Sequence, residues 1–251
     1  MRPYIATKDL ISQSQPLSHP LNGPCKSMLL LELESIEYLQ FLEIQRTIVD
    51  RKIAQRGPDV LMLLEHPHTI TLGTRGRASS LAASEEDLAK FGVPVHSTDR
   101  GGEATYHGPG QLVGYPLVDL KGLKLSVRDY VFKLEETVLV TLEQFGLKGF
   151  RQRGKPGVWT GPSDKIASVG VRIRRRITSH GFSLNIDLKI DPTSFMVCCG
   201  APGIRMVNLN DILSEPVPQL LVRRVVADSF AEVFGVSLER ASLDQALTAS
   251  G

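Results

Sequence analysis

Near the amino-terminal end, Leu29, Leu31 and Leu33 stand two apart across residues 28–33, an alternation that predicts a strand. Ser35 then offers a cap for a helix running to about residue 55. Tyr38, Leu42, Ile48 and Val49 lie near one face of it, and Gly57-Pro58 ends it. The apolar run 60–64 predicts a short buried strand, and 69–72 predicts another, closed by Gly73. Ser84 before Glu85, Glu86 and Asp87 marks a helix start, since anions suit the positive end of a helix dipole, and Gly92 stops that helix. Residues 93–96 and 112–117 read as strands joined by a glycine-rich loop. A second long helix begins at Ser126, with Asp129 three residues on. Val127, Val131, Leu134, Val138, Leu142 and Phe145 recur at helical spacing before Gly146. Residues 165–186 predict a hairpin. Its outgoing strand alternates through Ala167, Val169, Val171 and Ile173, and its return through Phe182, Leu184 and Ile186. A last helix covers roughly 219–234.

Strands that first pair and then alternate with helices predict one α/β (α+β) domain, a mixed sheet flanked by helices with a small C-terminal extension. Composition agrees: 42% of the 251 residues are hydrophobic and 22% charged, too apolar for a disordered chain. No repeat or linker divides residues 28–251, which are therefore expected to form a single domain behind a polar lead segment, 1–27, carrying Pro16, Pro20 and Pro24. A net charge of +2 argues against a dedicated nucleic-acid binder, so no nucleic-acid partner is expected. Cys25, Cys198 and Cys199 do not make a disulfide framework and point to a reducing compartment. No run of 18 apolar residues and no signal-peptide core occur, so a cytoplasmic protein without membrane contact is expected.

The densest chemistry lies in Arg100, Gly101, Gly102, Glu103, Ala104, Thr105, Tyr106, His107, Gly108, Pro109, Gly110 and Gln111. Glycines let backbone N–H groups approach a ligand, but the same composition also suits a long hairpin loop. It matches neither common phosphate-binding glycine motif. Cys198-Cys199-Gly200 offers a nucleophile, or else small buried side chains. Lys165 shares the parity of Ala167, Val169 and Val171, which aims it inward. A desolvated amine serves as a base and, once protonated, stabilises a neighbouring thiolate; the alternative is a strand-end lysine that snorkels to water. Arg172, Arg174, Arg175 and Arg176 form either a solvated hairpin tip or a docking patch for acidic proteins. His66 and His68 lack accompanying ligands at metal-site spacing and read as structural, so no metal is expected.

Residues 100–111, the stretch Lys165-Ile166-Ala167-Ser168-Val169-Gly170, the stretch His180-Gly181-Phe182-Ser183-Leu184-Asn185, and Cys199-Gly200 together resemble the lipoyl (octanoyl) transferases in order and spacing. Glu65-His66-Pro67 and Thr71-Leu72-Gly73 resemble an earlier segment of the same family, and the resemblance spans roughly residues 28–235. It implies a fold related to the catalytic domains of biotin protein ligases and lipoate ligases. It implies transfer of an octanoyl group from acyl carrier protein to a lysine of lipoyl domains, those of 2-oxoacid dehydrogenase E2 subunits and of the glycine cleavage H protein. It assigns Cys199 as the acyl-accepting nucleophile and Lys165 as its activating partner. Substrate contacts fall on Arg100 to His107, on Ser168, Val169 and Gly170, and on Gly181, Phe182 and Ser183. The residue before the nucleophile, commonly proline in that family, is Cys198 here. A thioester is already activated, so neither a metal nor another cofactor is expected. The competing readings are an ATP-dependent lipoate ligase and a non-catalytic module that binds carrier or lipoyl domains.

Overall fold

The computed structural model describes residues 26–198 and 203–249, so Cys25, Cys199, Gly200 and most of the expected lead segment lie outside the described residues. Along the chain run β1 (Lys26–Ser35), α1 (Tyr38–Ile53), β2 (Val60–Glu65), β3 (Thr69–Leu72), α2 (Glu85–Lys90), β4 (Val95–Ser97), β5 (Ala104–His107), β6 (Gln111–Leu117) and α3 (Val127–Gln144). There follow β7 (Phe150–Gln152), β8 (Lys155–Trp159), β9 (Asp164–Arg174), β10 (Ile177–Asn185), β11 (Arg205–Met206), α4 (Leu209–Ile212), α5 (Gln219–Phe234), β12 (Val236–Arg240) and α6 (Leu243–Thr248).

The large sheet runs β12-β1-β2-β6-β10-β9-β8-β7, with β11 added beside the start of β9. It is mixed, as expected: β1 lies parallel to both β2 and β12, while β2, β6, β10, β9 and β8 pair antiparallel in turn. Strand β2 shows why the sheet is covered on both faces. Leu61 and Leu63 point into a core shared with α3 and α5, whereas Val60, Met62 and Leu64 point into another beneath α1 and α6. An unbroken apolar run is what a strand buried on both faces requires. A second, three-stranded sheet, β4-β3-β5, is an addition to the single sheet predicted. Its own cluster packs Ile70, Ala104 and Tyr106 with Trp159, Phe195 and Met196.

The long helices form where predicted, with local differences. Ser126 accepts from the Asp129 N–H, and Asp129 accepts in return from the Ser126 N–H, a reciprocal cap on α3. Val127, expected on the buried face, is exposed, and Tyr130 takes the core position. Ser35 does not cap α1: β1 continues to Ser35, paired with Glu65, and the helix begins at Tyr38. The C-terminal extension is β12 and α6, β12 lengthening the large sheet beside β1. No helix among the described residues is long and apolar enough to cross a membrane.

Candidate active site

A cavity of about 250 Å³ opens between the 100–103 loop with β5 on one side and β6, β9 and β10 on the other. The predicted contact residues converge on it: Arg100 to Thr105, His107, Ser168 to Gly170 and Gly181 to Ser183 all line it, as does Lys165. Tyr106 does not. Its ring packs in the core of the small sheet and its hydroxyl meets His68 Nδ1 at 2.5 Å, because alternation along β5 turns it away from His107. Tyr38, Val113, Tyr115, His180, Met196, Cys198 and Met206 also line the cavity. Of these, His180 stood beside the Gly181 motif and Cys198 in the Cys198-Cys199-Gly200 stretch of the sequence; the others carry no local signal and are assembled by topology.

Arg100 knits the loop to the small sheet. Its Nε and Nη2 donate to the Thr71 hydroxyl at 3.0 Å and the Thr71 carbonyl at 2.6 Å; Nη2 also reaches the Glu103 carbonyl at 2.7 Å, and Nη1 the Gly101 carbonyl at 3.1 Å. These partners are neutral oxygens. Burial pulls the guanidinium down to about 10, so a buried cation faces the cavity at neutral pH. Gly73 allows the weld: a Cβ there would stand 2.6 Å from the Gly102 carbonyl oxygen and 2.8 Å from that of Arg100.

Next to this cation lies a neutral aromatic network. His66 Nδ1–H donates to the Ile36 carbonyl at 2.6 Å, which leaves Nε2 to accept from the Tyr115 hydroxyl at 2.7 Å. The Gln111 amide nitrogen donates to the Tyr106 carbonyl at 3.1 Å and to Asn185 Oδ1 at 2.9 Å. Gln111 Oε1 therefore accepts from His107 Nδ1–H at 2.7 Å, and the His107 Nε2 carries the lone pair. Tyr38 stacks on His107 with ring centres 6.0 Å apart. Burial drops His66 to about 4 and His107 well below its ordinary value, so both rings are neutral. His180 holds a backbone φ of +58, a strained value for histidine inside a strand. Its N–H donates to Gln45 Oε1 at 2.6 Å and its Nε2 meets Asp99 Oδ1 at 2.7 Å. Burial brings it to about 3, followed by the nearby charges of Arg100 and Arg172. The Asp99 carboxylate does not reverse this, because it is half exposed and also paired with Arg172.

Lys165 is 3% exposed. Its Nζ donates to the Pro156 carbonyl at 2.9 Å and sits 5.3 Å from the centre of the Trp159 ring. The inward reading of its parity holds, and the snorkelling alternative does not. Gly157, at φ +125, lets β8 close over the lysine stem: a Cβ there would meet Lys165 Cε at 2.7 Å and collide with the Ala167 carbonyl. The Gly157 N–H is fixed by Glu135 of α3 at 2.9 Å, and Arg151 binds the same carboxylate at 3.1 Å. Cys198 is buried and lines the cavity; Cys199, the expected nucleophile, lies outside the described residues.

The arginines expected near the hairpin bend are there, with Arg175 and Arg176 forming the turn at φ +51 and +72. Much of their charge is held by the protein itself: Arg172 pairs with Asp99 and Arg174 with Asp50, while Arg176 Nη2 donates to the Leu125 carbonyl at 3.0 Å. Among the described residues, no group of three His, Cys, Asp or Glu side chains is placed to hold a metal ion.

Residues 37–231 match the lipoyl protein ligase A/B catalytic domain. The chain is 40% identical over 205 residues to an octanoyltransferase of Syntrophobacter fumaroxidans, covering 82% of this chain and 90% of that protein. It is 41% identical over 220 residues to an octanoyltransferase of Gloeobacter violaceus, covering 87% and 96%. Among solved structures it shares its fold with a bipartite lipoate protein ligase from Thermoplasma acidophilum, with a TM-score of 0.68, 16% identity, and 89% and 91% of the two chains covered.

Proposed function

The chain belongs to the lipoyl protein ligase A/B catalytic-domain family and is an octanoyltransferase; from that premise we propose that it moves the octanoyl group from acyl carrier protein, through a thioester on Cys199, to a lysine of a lipoyl domain. The observation that carries this reading is the burial of Lys165 in the wall of the cavity onto which the glycine-rich segments converge. A buried ammonium beside a thiol favours the thiolate, which is the nucleophile.

In the first step the Cys199 thiolate attacks the thioester carbonyl. A new C–S bond forms, the old one breaks, and the carrier's sulfur leaves as a thiol after taking a proton from Lys165. In the second step the target amine attacks the acyl-enzyme. The amide C–N bond forms, Cys199 leaves as thiolate, and the amine's proton passes to Lys165. The apolar wall supplied by Val113, Val169, Phe182 and Met206 suits an unbranched acyl chain. The acceptors are lipoyl domains of 2-oxoacid dehydrogenase E2 subunits and of the glycine cleavage H protein.

The test is intact mass after mixing with octanoyl-carrier protein in the absence of nucleotide. The wild type should gain one octanoyl group, Cys199→Ser should gain none, and Cys198→Ser should keep most of the acylation. Equal loss in both variants would divide the role between two thiols. A requirement for ATP would overturn the direct route from a carrier thioester to Cys199.

A further inference from the structure

Two basic side chains stand on the rim of the cavity without a part in the chemistry above. Arg75 and Lys155 are exposed, come from the turn after β3 and the start of β8, and both line the cavity. Neither forms an ion pair among the described residues. By contrast Arg172 and Arg174, two of the four arginines singled out by sequence, are paired with Asp99 and Asp50.

Both positions are built. The turn after β3 is tied to the 100–103 loop by successive backbone bonds: Gly73 N–H to the Glu103 carbonyl at 2.9 Å, Thr74 N–H to that of Arg100 at 2.9 Å, and Arg75 N–H to that of Gly102 at 3.0 Å. Gly76 closes that turn onto the Gly73 carbonyl at 2.8 Å. Before β8, Gly154 takes φ +76 to make the β7–β8 turn that presents Lys155, whose Nζ lies 5.6 Å from the centre of the Trp159 ring. Deeper in, the wall is apolar at Val113, Val169 and Phe182. Glu103 is the acidic side chain among the described lining residues and is half-buried in the loop itself.

An apolar interior below a cationic rim fits a ligand with a hydrocarbon tail and an anion some distance along the same chain. We propose that Arg75 and Lys155 form a binding site for the phosphate of a phosphopantetheine-type arm, the group that delivers the octanoyl thioester. Arginine's planar fork matches phosphate oxygens, and the lysine adds a point charge. The proposal rests on the reading that the donor is a carrier-bound thioester, and it places the donor's arm over the rim formed by the 73–76 and 153–156 turns.

The experiment compares the rate of enzyme acylation by three donors: octanoyl-carrier protein, octanoyl-coenzyme A, and octanoyl-pantetheine, which lacks the phosphate. The variants are Arg75→Ala, Lys155→Ala and the double variant. The double variant should lose about 10-fold or more in kcat/KM with both phosphate-bearing donors, and less than about 2-fold with octanoyl-pantetheine. Equal loss on all three donors would assign the two residues to the shape of the cavity and overturn the proposal. Loss on the carrier alone would assign them to a protein surface and overturn it as well, as would no loss on any. Wild-type enzyme that none of the three donors acylates would instead remove the thioester-donor reading on which the site depends.

Discussion

A lysine amine 3% exposed must be held by specific partners or it destabilises the fold, and Lys165 is held on three sides. The Pro156 carbonyl accepts from it, the Trp159 ring lies beneath it, and the backbone at Gly157 closes over its stem. Such a placement was legible in the sequence because Lys165 falls in step with Ala167, Val169 and Val171. What alternation could not supply was the lid: the β8 contact depends on a register shift between Val158 and Trp159 that no local pattern announces. The chemical consequence is measurable. Replacing Lys165 by alanine should move the alkylation of the reactive thiol to higher pH, while Lys155→Ala, on the rim, should leave that profile in place. An unchanged profile in Lys165→Ala would leave this lysine with no part in thiol activation.

Among the elements, those with a strong period were readable and those defined by their neighbours were not. The long helices α1, α3 and α5 and the β9–β10 hairpin follow their hydrophobic spacing. Strand β5 was hidden in a glycine-rich segment, because its four residues are ordered by pairing with β3, Thr69 against His107 and Leu72 against Ala104. Strand β8 begins Lys155-Pro156-Gly157, a weak strand signal, and β12 is a five-residue strand that forms only because β1 offers a parallel edge. The site inherits this mixture: its β9 and β10 walls were foreseeable, its β8 cover was not. Gly157 tests the cover. Alanine there is strained by φ +125 and meets both Lys165 Cε and the Ala167 carbonyl, so β8 must shift away from the lysine. Gly157→Ala should lower the acylation rate by about 10-fold or more and cost on the order of 1–3 kcal/mol in stability. Gly154→Ala, at a positive φ but with nothing within 4 Å of its Cβ position, should cost stability through strain alone and leave acylation by octanoyl-pantetheine, which has no phosphate for Lys155, within about 2-fold. If both variants acylate at the wild-type rate, β8 has no hold on the lysine.

At the scale of the whole molecule, the neutral histidines join the α1 face of the large sheet to the cavity, and they make the fold sensitive to acid. His66 bridges the chain after β1, through the Ile36 carbonyl, to Tyr115 on β6; His107 bridges β5 to Gln111 and, through it, to Asn185 on β10. Neither touches a carboxylate that would favour its charged form, and each already uses Nδ1–H as a donor. Protonating His66 Nε2 would remove the acceptor of the Tyr115 hydroxyl, which would have to turn its hydrogen away and accept instead. Both groups have folded-state values below the unfolded value of about 6.5, His66 at about 4 and His107 well beneath its ordinary range. The unfolded chain therefore binds more protons as pH falls, and stability drops from about pH 6.5 downward; for His66 the loss levels off near pH 4. Each histidine should cost about 1.4 kcal/mol between pH 7.5 and pH 5.5, if its folded form stays neutral throughout. Urea midpoints measured across that interval should fall accordingly, and the mean slope of stability against pH should be shallower by about half a proton in His66→Gln even if that variant is less stable at every pH. A midpoint that stays level down to pH 5.5 would mean that the imidazoles accept protons in the folded state and that burial does not hold them neutral.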